Sequence, residues 1–539
     1  MLKSKLFLSV LSGVLLSLSW PTYGFPYLAL LAFIPLFFIE EQIRNTSKKP
    51  LSKVLLYSYL SFLIWNIATT WWIWNSTAFG AIMAIVLNSF FMSLVWVVYS
   101  FSKNHFKYSE HVIFLLPIYW LAFEYFHLDW DLSWSWLNLG NVFASHPYAI
   151  QWYEYTGTLG GSWWIIVSNI LGFKLLKNLL AGENMLKKTL LSSFSLLLFV
   201  FIPLLFSLVI YSNYQEKGKD VEIIVLQPNM DPWNEQFTSP PEEVIDRLIK
   251  LSDSLISEKT SFILAPESAI QEGLNESNIF NTSKKQGVSL TMLKQFLIKH
   301  PQVQMLIGAS TYKFLHEAST TSRTTKGGSI YDEYNTAILV NKKGVEDVYH
   351  KSKLVPGPEK MPFKKFLQPL QDFAFDLGGT VGSLGFDTKR KVFYSNDGKI
   401  GAAPLICYES IYGGFVAKFV RNGAQLLFII TNDGWWGNTQ GHKQHLAYAQ
   451  LRAIECRRSV ARAANTGVSA FINQRGDIIK ESSYWTQSAL KQNIKANQEL
   501  SFFSRYGDYF GRVSAFLAVL FLIINFSFLI RKEKNNDSL

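Results

Sequence analysis

Ile400-Gly-Ala-Ala-Pro-Leu-Ile-Cys-Tyr-Glu-Ser410 is a short apolar stretch that ends at a cysteine and two polar residues. An apolar run of this length predicts a buried strand of an α/β domain. A thiol at a strand end is a candidate nucleophile, because α/β domains place their chemistry where strands end. Membrane-length apolar segments flank the surrounding polar block on both sides, so we expect an enzyme domain beside a bilayer, with lipids as substrates.

The composition indicates an integral membrane protein with one large soluble domain. Of 539 residues, 49% are hydrophobic and 17% are charged, which is too apolar for a soluble protein and too weakly charged for a disordered one. The net charge of +11 does not predict a nucleic-acid partner, because the basic residues cluster beside apolar segments. These clusters are Lys3 and Lys5, Arg44 to Lys53, Lys103 to Lys107, Lys174 to Lys188, and Arg531 to Lys534.

About eight apolar segments approach the roughly 20 residues that a helix needs to cross a bilayer. They run over about residues 5–20, 25–40, 54–76, 80–100, 111–128, 162–180, 190–211 and 512–530. The sequence therefore predicts a membrane domain of about seven spans over 1–212, a catalytic domain over 213–505, and a last span with a cytoplasmic tail over 506–539. A cleaved signal peptide is the alternative for the first segment, but a second apolar run begins at Phe25 without an intervening polar chain.

The placement of charge predicts the orientation of these segments. If the N-terminus is cytoplasmic, the basic loops and the basic tail all fall inside, and loop 129–161, which has no Lys or Arg, falls outside. The catalytic domain then lies outside the cytoplasm, which in a Gram-negative cell is the periplasm, and the protein is a multi-pass protein of the inner membrane. Loop 129–161 is rich in Trp and Tyr, which is typical of an interfacial belt; a direct contact with lipid is the alternative.

Within the soluble block, apolar runs of strand type end repeatedly at polar residues. The runs are Val221 to Leu226, Ser261 to Ala265 and Leu426 to Ile430, and helical stretches such as Glu242 to Ile256 and His442 to Arg462 lie between them. Thr336 to Val340 and Val345 to Tyr349 flank a short polar turn and predict a hairpin. We therefore expect an α/β domain that gathers polar groups at one edge of its sheet.

Three strand ends supply the groups for acyl chemistry. Cys407 is the candidate nucleophile, Glu267 could take and return its proton, and Lys351 with the backbone N–H of Tyr408 could stabilise an oxyanion. Each residue also has a structural explanation: a buried thiol is usually a small apolar group, and a glutamate after proline is usually a solvated turn. Spacing alone leaves both interpretations open.

Several motifs resemble a known family. Pro266-Glu267-Ser268, Tyr349-His-Lys351-Ser-Lys-Leu-Val-Pro356 and Ile406-Cys407-Tyr408-Glu409 are similar to the Glu, Lys and Cys motifs of the nitrilase (carbon–nitrogen hydrolase) superfamily. Trp20-Pro21-Thr-Tyr-Gly24, Trp136-Leu-Asn-Leu-Gly140, Val225-Leu-Gln227-Pro-Asn229 and Thr431-Asn-Asp433-Gly-Trp435-Trp-Gly437 resemble its membrane-embedded branch, the apolipoprotein N-acyltransferases. The resemblance covers nearly the whole chain and implies an α-β-β-α sandwich carried by a membrane α-helical bundle.

The resemblance also implies residue roles. Glu267 would be the general base and acid, Lys351 the oxyanion stabiliser and Cys407 the acyl-accepting nucleophile. Glu359 would fix Lys351, although Val355-Pro-Gly-Pro-Glu359 departs from the Val-Pro-Phe-Gly-Glu that is usual in the family. Further positions that match the family and would shape the pocket are Trp233, Tyr408, Glu409 and Trp435.

The reaction that the resemblance implies is a ping-pong acyl transfer through a thioester on Cys407. The donor would be a phospholipid, typically the sn-1 chain of phosphatidylethanolamine, and the acceptor the α-amine of a lipoprotein's N-terminal diacylglyceryl-cysteine. Apolar residues of 129–161 and 361–376 would shield the thioester from water. We expect a monomer without cofactor.

Two other functions remain to be separated from this one. A membrane-anchored amidase would use the same triad with water as acceptor, whereas a transporter would need more ionisable groups within its spans than Glu124 and His127. Helical spacing predicts that Cys456 is buried. His442 and His445 lack a third ligand, so we expect no metal site and interpret them as solvated residues at a helix start.

Overall fold

The computed structural model describes residues 4–21, 23–105, 110–181, 186–280, 286–363 and 383–536. The chain divides into two compact units. Unit 1 comprises Met1–Trp71, Ala81–Ser212 and Asp508–Leu539, and unit 2 comprises Trp72–Gly80 and Asn213–Gly507. Each unit has a buried apolar core of its own.

The described helices and strands are as follows. The helices are α1 Lys5–Ser19, α2 Ile34–Thr46, α3 Pro50–Thr70, α4 Ala78–His105, α5 Leu115–Phe126, α6 Tyr153–Leu180, α7 Leu186–Asn213, α8 Pro241–Asp253, α9 Glu276–Ile279, α10 Val288–Lys299, α11 Gly413–Arg421, α12 Gln440–Cys456, α13 Phe502–Tyr506 and α14 Tyr509–Asn536. The strands are β1 Lys219–Gln227, β2 Thr260–Leu264, β3 Ile270–Asn275, β4 Gln304–Leu315, β5 Arg323–Thr324, β6 Ile330–Asn341, β7 Gly344–His350, β8 Phe393–Tyr394, β9 Gly401–Ile406, β10 Leu426–Thr431, β11 Ser459–Ala464, β12 Ala470–Ile472, β13 Ile478–Glu481 and β14 Ser488–Ala496.

Unit 1 is helical, and the predicted apolar segments all fall on its helices. Within the described residues, six helical segments are long and apolar enough to cross a membrane: Pro26–Thr46, Pro50–Asn75, Ala78–Asn104, Tyr153–Leu180, Leu186–Asn213 and Tyr509–Phe528. Two apolar helical segments are shorter, Lys5–Ser19 and His111–Phe126. The chain is therefore a multi-pass membrane protein, and the count of eight crossings stays a prediction.

Much of the aromatic loop 129–161 is packed inside unit 1. Trp136 and Tyr153 are both fully buried, and the Tyr153 hydroxyl donates a 2.9 Å hydrogen bond to the Gly140 carbonyl. Tyr148 and Tyr155 are exposed. The prediction of an interfacial belt is therefore wrong for Trp136 and Tyr153, because these rings fill the space between the loop and its own helices.

Unit 2 is built on two sheets. The larger has the strand order β14-β1-β2-β4-β6-β5, with β3 paired to β4 and β7 to β6, and the smaller has the order β13-β12-β11-β10-β9-β8. Strands β1, β2 and β4 are parallel neighbours, as are β9, β10 and β11. β6 and β7 form the predicted hairpin.

The two sheets pack face to face and carry helices on their outer faces. Ile224 and Ile263 belong to a core cluster with residues of α8 and α10, whereas Phe262 meets Phe428 between the sheets at a ring distance of 5.2 Å. Strands that are buried on both faces have continuous apolar sequences, which explains the run in β10. Truncating Phe428 to Ala would cost about 3–5 kcal/mol. The predicted α-β-β-α sandwich is confirmed.

The helix that was predicted over His442 to Arg462 is shorter than expected. Helix α12 ends at Cys456, and Arg457 adopts a left-handed conformation with φ of 50°. Ser459 to Ala464 then form β11, which pairs in parallel with β10. The apolar periodicity of this stretch fits a helix, but pairing with a buried neighbouring strand overrides the local preference.

Candidate active site

The strand ends of unit 2 bring the predicted catalytic residues together. Glu267 follows β2, Lys351 follows β7 and Cys407 follows β9. Charges on Glu267 and Lys351 both act on the Cys407 thiol, so the three side chains share one site. The residues that contact these three side chains determine which chemistry they can perform.

Lys351 is a buried cation between two carboxylates. Its Nζ lies 3.1 Å from Glu267 Oε1 and 2.7 Å from Glu359 Oε1, and its side chain is 1% exposed. Burial alone would lower the pKa of Lys351, but the two carboxylates raise it well above its usual value. The ammonium group is therefore charged at neutral pH and lies in contact with both carboxylates.

The contact of Glu359 with Lys351 exists despite the unusual loop sequence. Gly357 adopts φ of 96°, a conformation that suits glycine, and its N–H donates to the Lys360 carbonyl at 2.9 Å. Glu359 Oε2 also accepts a 2.8 Å hydrogen bond from the Val355 N–H. Hydrogen bonds within the altered loop thus hold Glu359 beside Lys351.

Asn335 is a site residue that the sequence analysis missed. Its Nδ2 donates to Glu267 Oε1 at 2.8 Å and to Glu359 Oε1 at 3.2 Å. Its carbonyl accepts a 2.8 Å hydrogen bond from the Lys351 N–H. The only signal in the sequence is a polar residue at the start of a buried apolar run in β6.

Glu267 is further fixed by backbone contacts. Its Oε2 accepts a 3.1 Å hydrogen bond from the Asn432 N–H, and the next residue, Ser268, is left-handed with φ of 55°. Gly308 of β4 lies beneath this turn: a Cβ atom there would approach Glu267 Cα to 2.6 Å. Glycine is therefore required for the turn to reach its place.

Cys407 opens a 3-10 turn, Cys407–Ile411, directly after β9. It is half-buried and adopts a left-handed conformation with φ of 48°. Burial and the charge of Glu267 raise the pKa of the thiol, against the opposing effects of Lys351 and a hydrogen bond with Thr431. The resting residue is therefore a thiol, and it needs a base to become a nucleophile.

Tyr408 and Glu409 follow Cys407 in its turn, and both are buried. Glu409 is fully buried; its Oε1 accepts from the Tyr349 hydroxyl and the Ser352 N–H, both at 2.7 Å, and its Oε2 accepts from the Ile406 N–H at 2.9 Å. Burial raises its pKa to about 7, although these hydrogen bonds oppose the shift. Glu409 therefore ties the turn of Lys351 to that of Cys407, and the buried Tyr408 ring packs on Tyr412 at 5.2 Å.

Trp233 and Trp435 form an apolar surface on which Trp233 is exposed and Trp435 is half-buried. Their rings meet edge to face at 4.7 Å, Phe237 lies 5.9 Å from Trp435, and Trp233 is 56% exposed. The backbone of the Trp435 turn starts from Asn432, whose N–H holds Glu267. Of the segments that were predicted to shield the site, residues 364–376 lie outside the described residues.

Two predictions concern residues near the site. Cys456 is fully buried, as predicted. His442 and His445 were interpreted as solvated, which is wrong: they are 2% and 1% exposed, because the first turns of α12 are packed inside unit 2. In the described part of the chain, no group of three or more His, Cys, Asp or Glu side chains is arranged to hold a metal.

Comparisons with known proteins agree with this architecture. The sequence model of the carbon-nitrogen hydrolase family matches residues 224–498, and that of the apolipoprotein N-acyltransferase N-terminal domain matches residues 12–171. The chain therefore belongs to the carbon-nitrogen hydrolase family, in its apolipoprotein N-acyltransferase branch.

Curated relatives match over nearly the full length. The chain is 29% identical to the apolipoprotein N-acyltransferase of Chlorobaculum tepidum over 522 residues, covering 94% of each chain. It is 25% identical to apolipoprotein N-acyltransferase 1 of Treponema denticola over 551 residues, covering 98% of each. Among solved structures, a branch 10 nitrilase-superfamily member from Saccharomyces cerevisiae covers 54% of this chain and 97% of its own, with 14% identity and a TM-score of 0.37.

Proposed function

We propose that this acyltransferase moves an acyl chain from a phospholipid, through a thioester on Cys407, to the α-amine of the N-terminal diacylglyceryl-cysteine of a lipoprotein. One observation carries the mechanism: the buried ammonium group of Lys351 and the carboxylate of Glu267 lie 3.1 Å apart beside the thiol. This arrangement supplies a base, a cation and a nucleophile for acyl transfer.

The first half-reaction forms the thioester. Glu267 removes the thiol proton as Cys407 attacks the ester carbonyl of the donor, and Lys351 with the Tyr408 N–H stabilises the developing oxyanion. The tetrahedral intermediate then collapses, and Glu267 returns the proton to the departing alkoxide of the lysophospholipid. The sn-1 chain of phosphatidylethanolamine is the donor that we propose.

The second half-reaction uses the same groups. The acceptor amine attacks the thioester, Glu267 takes a proton from the nitrogen, and the oxyanion again forms beside Lys351. Collapse expels the Cys407 thiolate, which recovers its proton from Glu267, and an amide remains on the acceptor. All of these groups come from one chain, so the proposed reaction needs no second subunit, and we propose a monomer.

The exposed aromatic surface of Trp233, Phe237 and Trp435 favours an acyl donor over a small amide. Rings that remain exposed on a soluble face suit contact with a hydrocarbon chain. An amidase would release its acyl group to water and would need no such surface. The curated relatives also support the acyltransferase over the amidase.

We also propose the orientation that charge placement predicts. Residues 213–505 form the catalytic domain outside the cytoplasm, in the periplasm when the inner membrane is that of a Gram-negative cell. Alkaline phosphatase fused after Tyr214 should be active, whereas the same fusion after Lys534 should be inactive. The inverse pattern would place Cys407 in the cytoplasm and contradict the proposal.

The nucleophile is tested by intact-mass analysis of protein that has been incubated with phospholipid. Wild type and Cys456→Ala should both gain one acyl group, whereas Cys407→Ala should gain none and should transfer none. Cys456 is the matched control because it is the second thiol of the chain and is fully buried. Acyl transfer by Cys407→Ala would rule out the covalent mechanism.

A further inference from the structure

A buried charge network lies beneath the nucleophile and has no part in the chemistry described above. Its centre is Asp433, whose side chain is fully buried. Asp433 accepts hydrogen bonds from Arg462 and from the Thr431 hydroxyl at 2.8 Å. His445 Nδ1 lies 3.0 Å from Asp433 Oδ1 and 3.2 Å from Arg462 Nη2. Burial would raise the pKa of Asp433, but Arg462 and His445 hold it well below its usual value. Asp433 is therefore a fixed carboxylate that orients the imidazole ring.

The other edge of that ring contacts the turn of the nucleophile. His445 Nε2 lies 3.2 Å from the Cys407 carbonyl oxygen and 2.9 Å from Ser410 Oγ. Ser410 Oγ itself donates to the same carbonyl at 2.8 Å. Ser410 Oγ and His445 Nε2 therefore both lie within hydrogen-bond distance of one backbone oxygen. The residue that carries this oxygen has a left-handed φ of 48°, which is unfavourable for cysteine.

The position of the Cys407 carbonyl oxygen also determines where the Tyr408 N–H points. The Cys407 carbonyl and the Tyr408 N–H belong to one planar trans peptide, so they point in opposite directions. Fixing the oxygen toward His445 and Ser410 therefore aims the N–H away from them. That N–H is the backbone donor assigned above to the oxyanion.

We propose that His445, oriented by Asp433 and supported by Ser410, is a positioning residue that sets the Cys407–Tyr408 peptide plane and so aligns the backbone oxyanion donor with the thiol. The inference rests on the proposed acyl-transfer mechanism, which assigns the Tyr408 N–H its role. It adds His445, Asp433 and Ser410 to a mechanism that otherwise uses Glu267, Lys351 and Cys407. Loss of the contact between His445 and the Cys407 carbonyl should slow the formation of tetrahedral intermediates without weakening the binding of lipid.

The alternative is that His445 only compensates the buried charge of Asp433. Two substitutions separate these roles. In His445→Gln the amide nitrogen replaces Nε2 and still reaches the Cys407 carbonyl. In His445→Asn the amide nitrogen replaces Nδ1 and reaches Asp433 alone. Positioning predicts that Gln is the better substitute, whereas charge compensation predicts that Asn is at least as good.

The experiment uses the full-length protein in detergent micelles and measures the rate of Cys407 acylation by a phospholipid with a fluorescent acyl chain. We expect His445→Asn to lower kcat by about 10²-fold with little change in KM, His445→Gln to remain within about 10-fold of wild type, and Ser410→Ala to lower kcat by about 10-fold. Ser410→Ala leaves the contact between His445 and Asp433 intact and serves if a histidine variant fails to fold. His442→Asn, one helical turn earlier, is the matched control and should keep the wild-type rate.

A second measurement distinguishes an oxyanion effect from a general loss of structure. Alkylation of Cys407 by iodoacetamide forms no oxyanion, so its rate should stay within about 3-fold of wild type in His445→Asn and Ser410→Ala while acylation falls. Equal losses in both rates, or a His445→Asn variant that acylates as fast as His445→Gln, would overturn the inference. If wild type itself is alkylated but never acylated by phospholipid, the proposed function fails, independently of His445.

Discussion

Replacing Lys351 with Met should nearly abolish acyl transfer and destabilise unit 2, through two effects that can be separated. In the proposed mechanism the ammonium group stabilises the oxyanion, and in the structure it lies 3.1 and 2.7 Å from two carboxylates, whose charge it compensates. Without it, Glu267 Oε1 and Glu359 Oε1 share the Asn335 side-chain nitrogen as their common donor, at 2.8 and 3.2 Å. The two carboxylates then repel each other without a cation between them, which favours the uptake of a proton at the site.

The magnitudes follow from these two effects. Loss of one oxyanion donor lowers the rate by about 10²–10³. A buried charge left without its partner lowers the free energy of unfolding by about 3–5 kcal/mol. If Glu267 is the group that takes up the proton, the general base is lost as well, which adds a factor of about 10² or more. Lys351→Met should therefore lose about 10²–10³ in rate through the oxyanion donor alone, and about 10⁴ or more if Glu267 is also protonated.

The double variant Lys351→Met with Glu359→Gln separates the two effects. It removes the surplus carboxylate, so it should recover most of the thermal stability while its acylation rate stays about 10²–10³ below wild type. Thermal unfolding in detergent reports the first quantity, and intact-mass measurement of the thioester reports the second. Near-normal acylation by the double variant would mean that Lys351 serves only to neutralise Glu359, and would refute its role at the oxyanion.

Further predictions concern the base, a neighbouring histidine and the turn of Glu267. Glu267→Gln should slow both half-reactions by about 10²–10⁴, measured by single-turnover acylation and deacylation, and a defect in only one of them would contradict its double role. Burial would lower the pKa of His350, but Asp387 and Glu276 raise it from 6.5 to about 9. The charge of His350 therefore stabilises the fold by up to about 3 kcal/mol. This stabilisation is complete below pH 6.5 and is lost progressively as the pH rises through 9. The unfolding temperature should fall over that window in wild type but not in His350→Gln. Gly308→Ala should lower the free energy of unfolding by about 1–3 kcal/mol and displace Glu267, so that stability and acylation fall together, whereas an unchanged rate would contradict the contact.

The strands of unit 2 were accessible from the sequence because each ends in a change from apolar to polar residues. β9 and β10 are buried on both faces, so they read as continuous apolar runs. The same sheet contains β11, whose sequence Ser459 to Ala464 was assigned to a helix. Only its pairing with β10 makes it a strand, and pairing with a neighbour is not visible in a local pattern.

The candidate site likewise contains residues that the sequence analysis identified and residues that it missed. Glu267, Lys351 and Cys407 stand at strand ends and belong to motifs, so the sequence analysis found them. Asn335 lies within a long strand, and His445 lies on a helix that appeared to begin in solvent. Both act through contacts with residues far away in the chain, so their importance follows only from the way in which the two sheets and α12 come together.

The raised pKa of Cys407 fits a mechanism that conserves the charge of a buried site. At rest, Glu267 and Glu359 carry two negative charges, Lys351 carries one positive charge, and the thiol is neutral. When Glu267 takes the thiol proton, the negative charge moves to sulfur, and when sulfur attacks an ester it moves on to the oxyanion. The net charge of the site is the same at each step, so no step requires a new charge to leave water, a change that is costly in a protein interior. A thiolate formed by loss of the proton to water would instead add a third negative charge beside Glu267. The site therefore favours proton transfer to Glu267 during the attack over a thiolate that has lost its proton to water in advance.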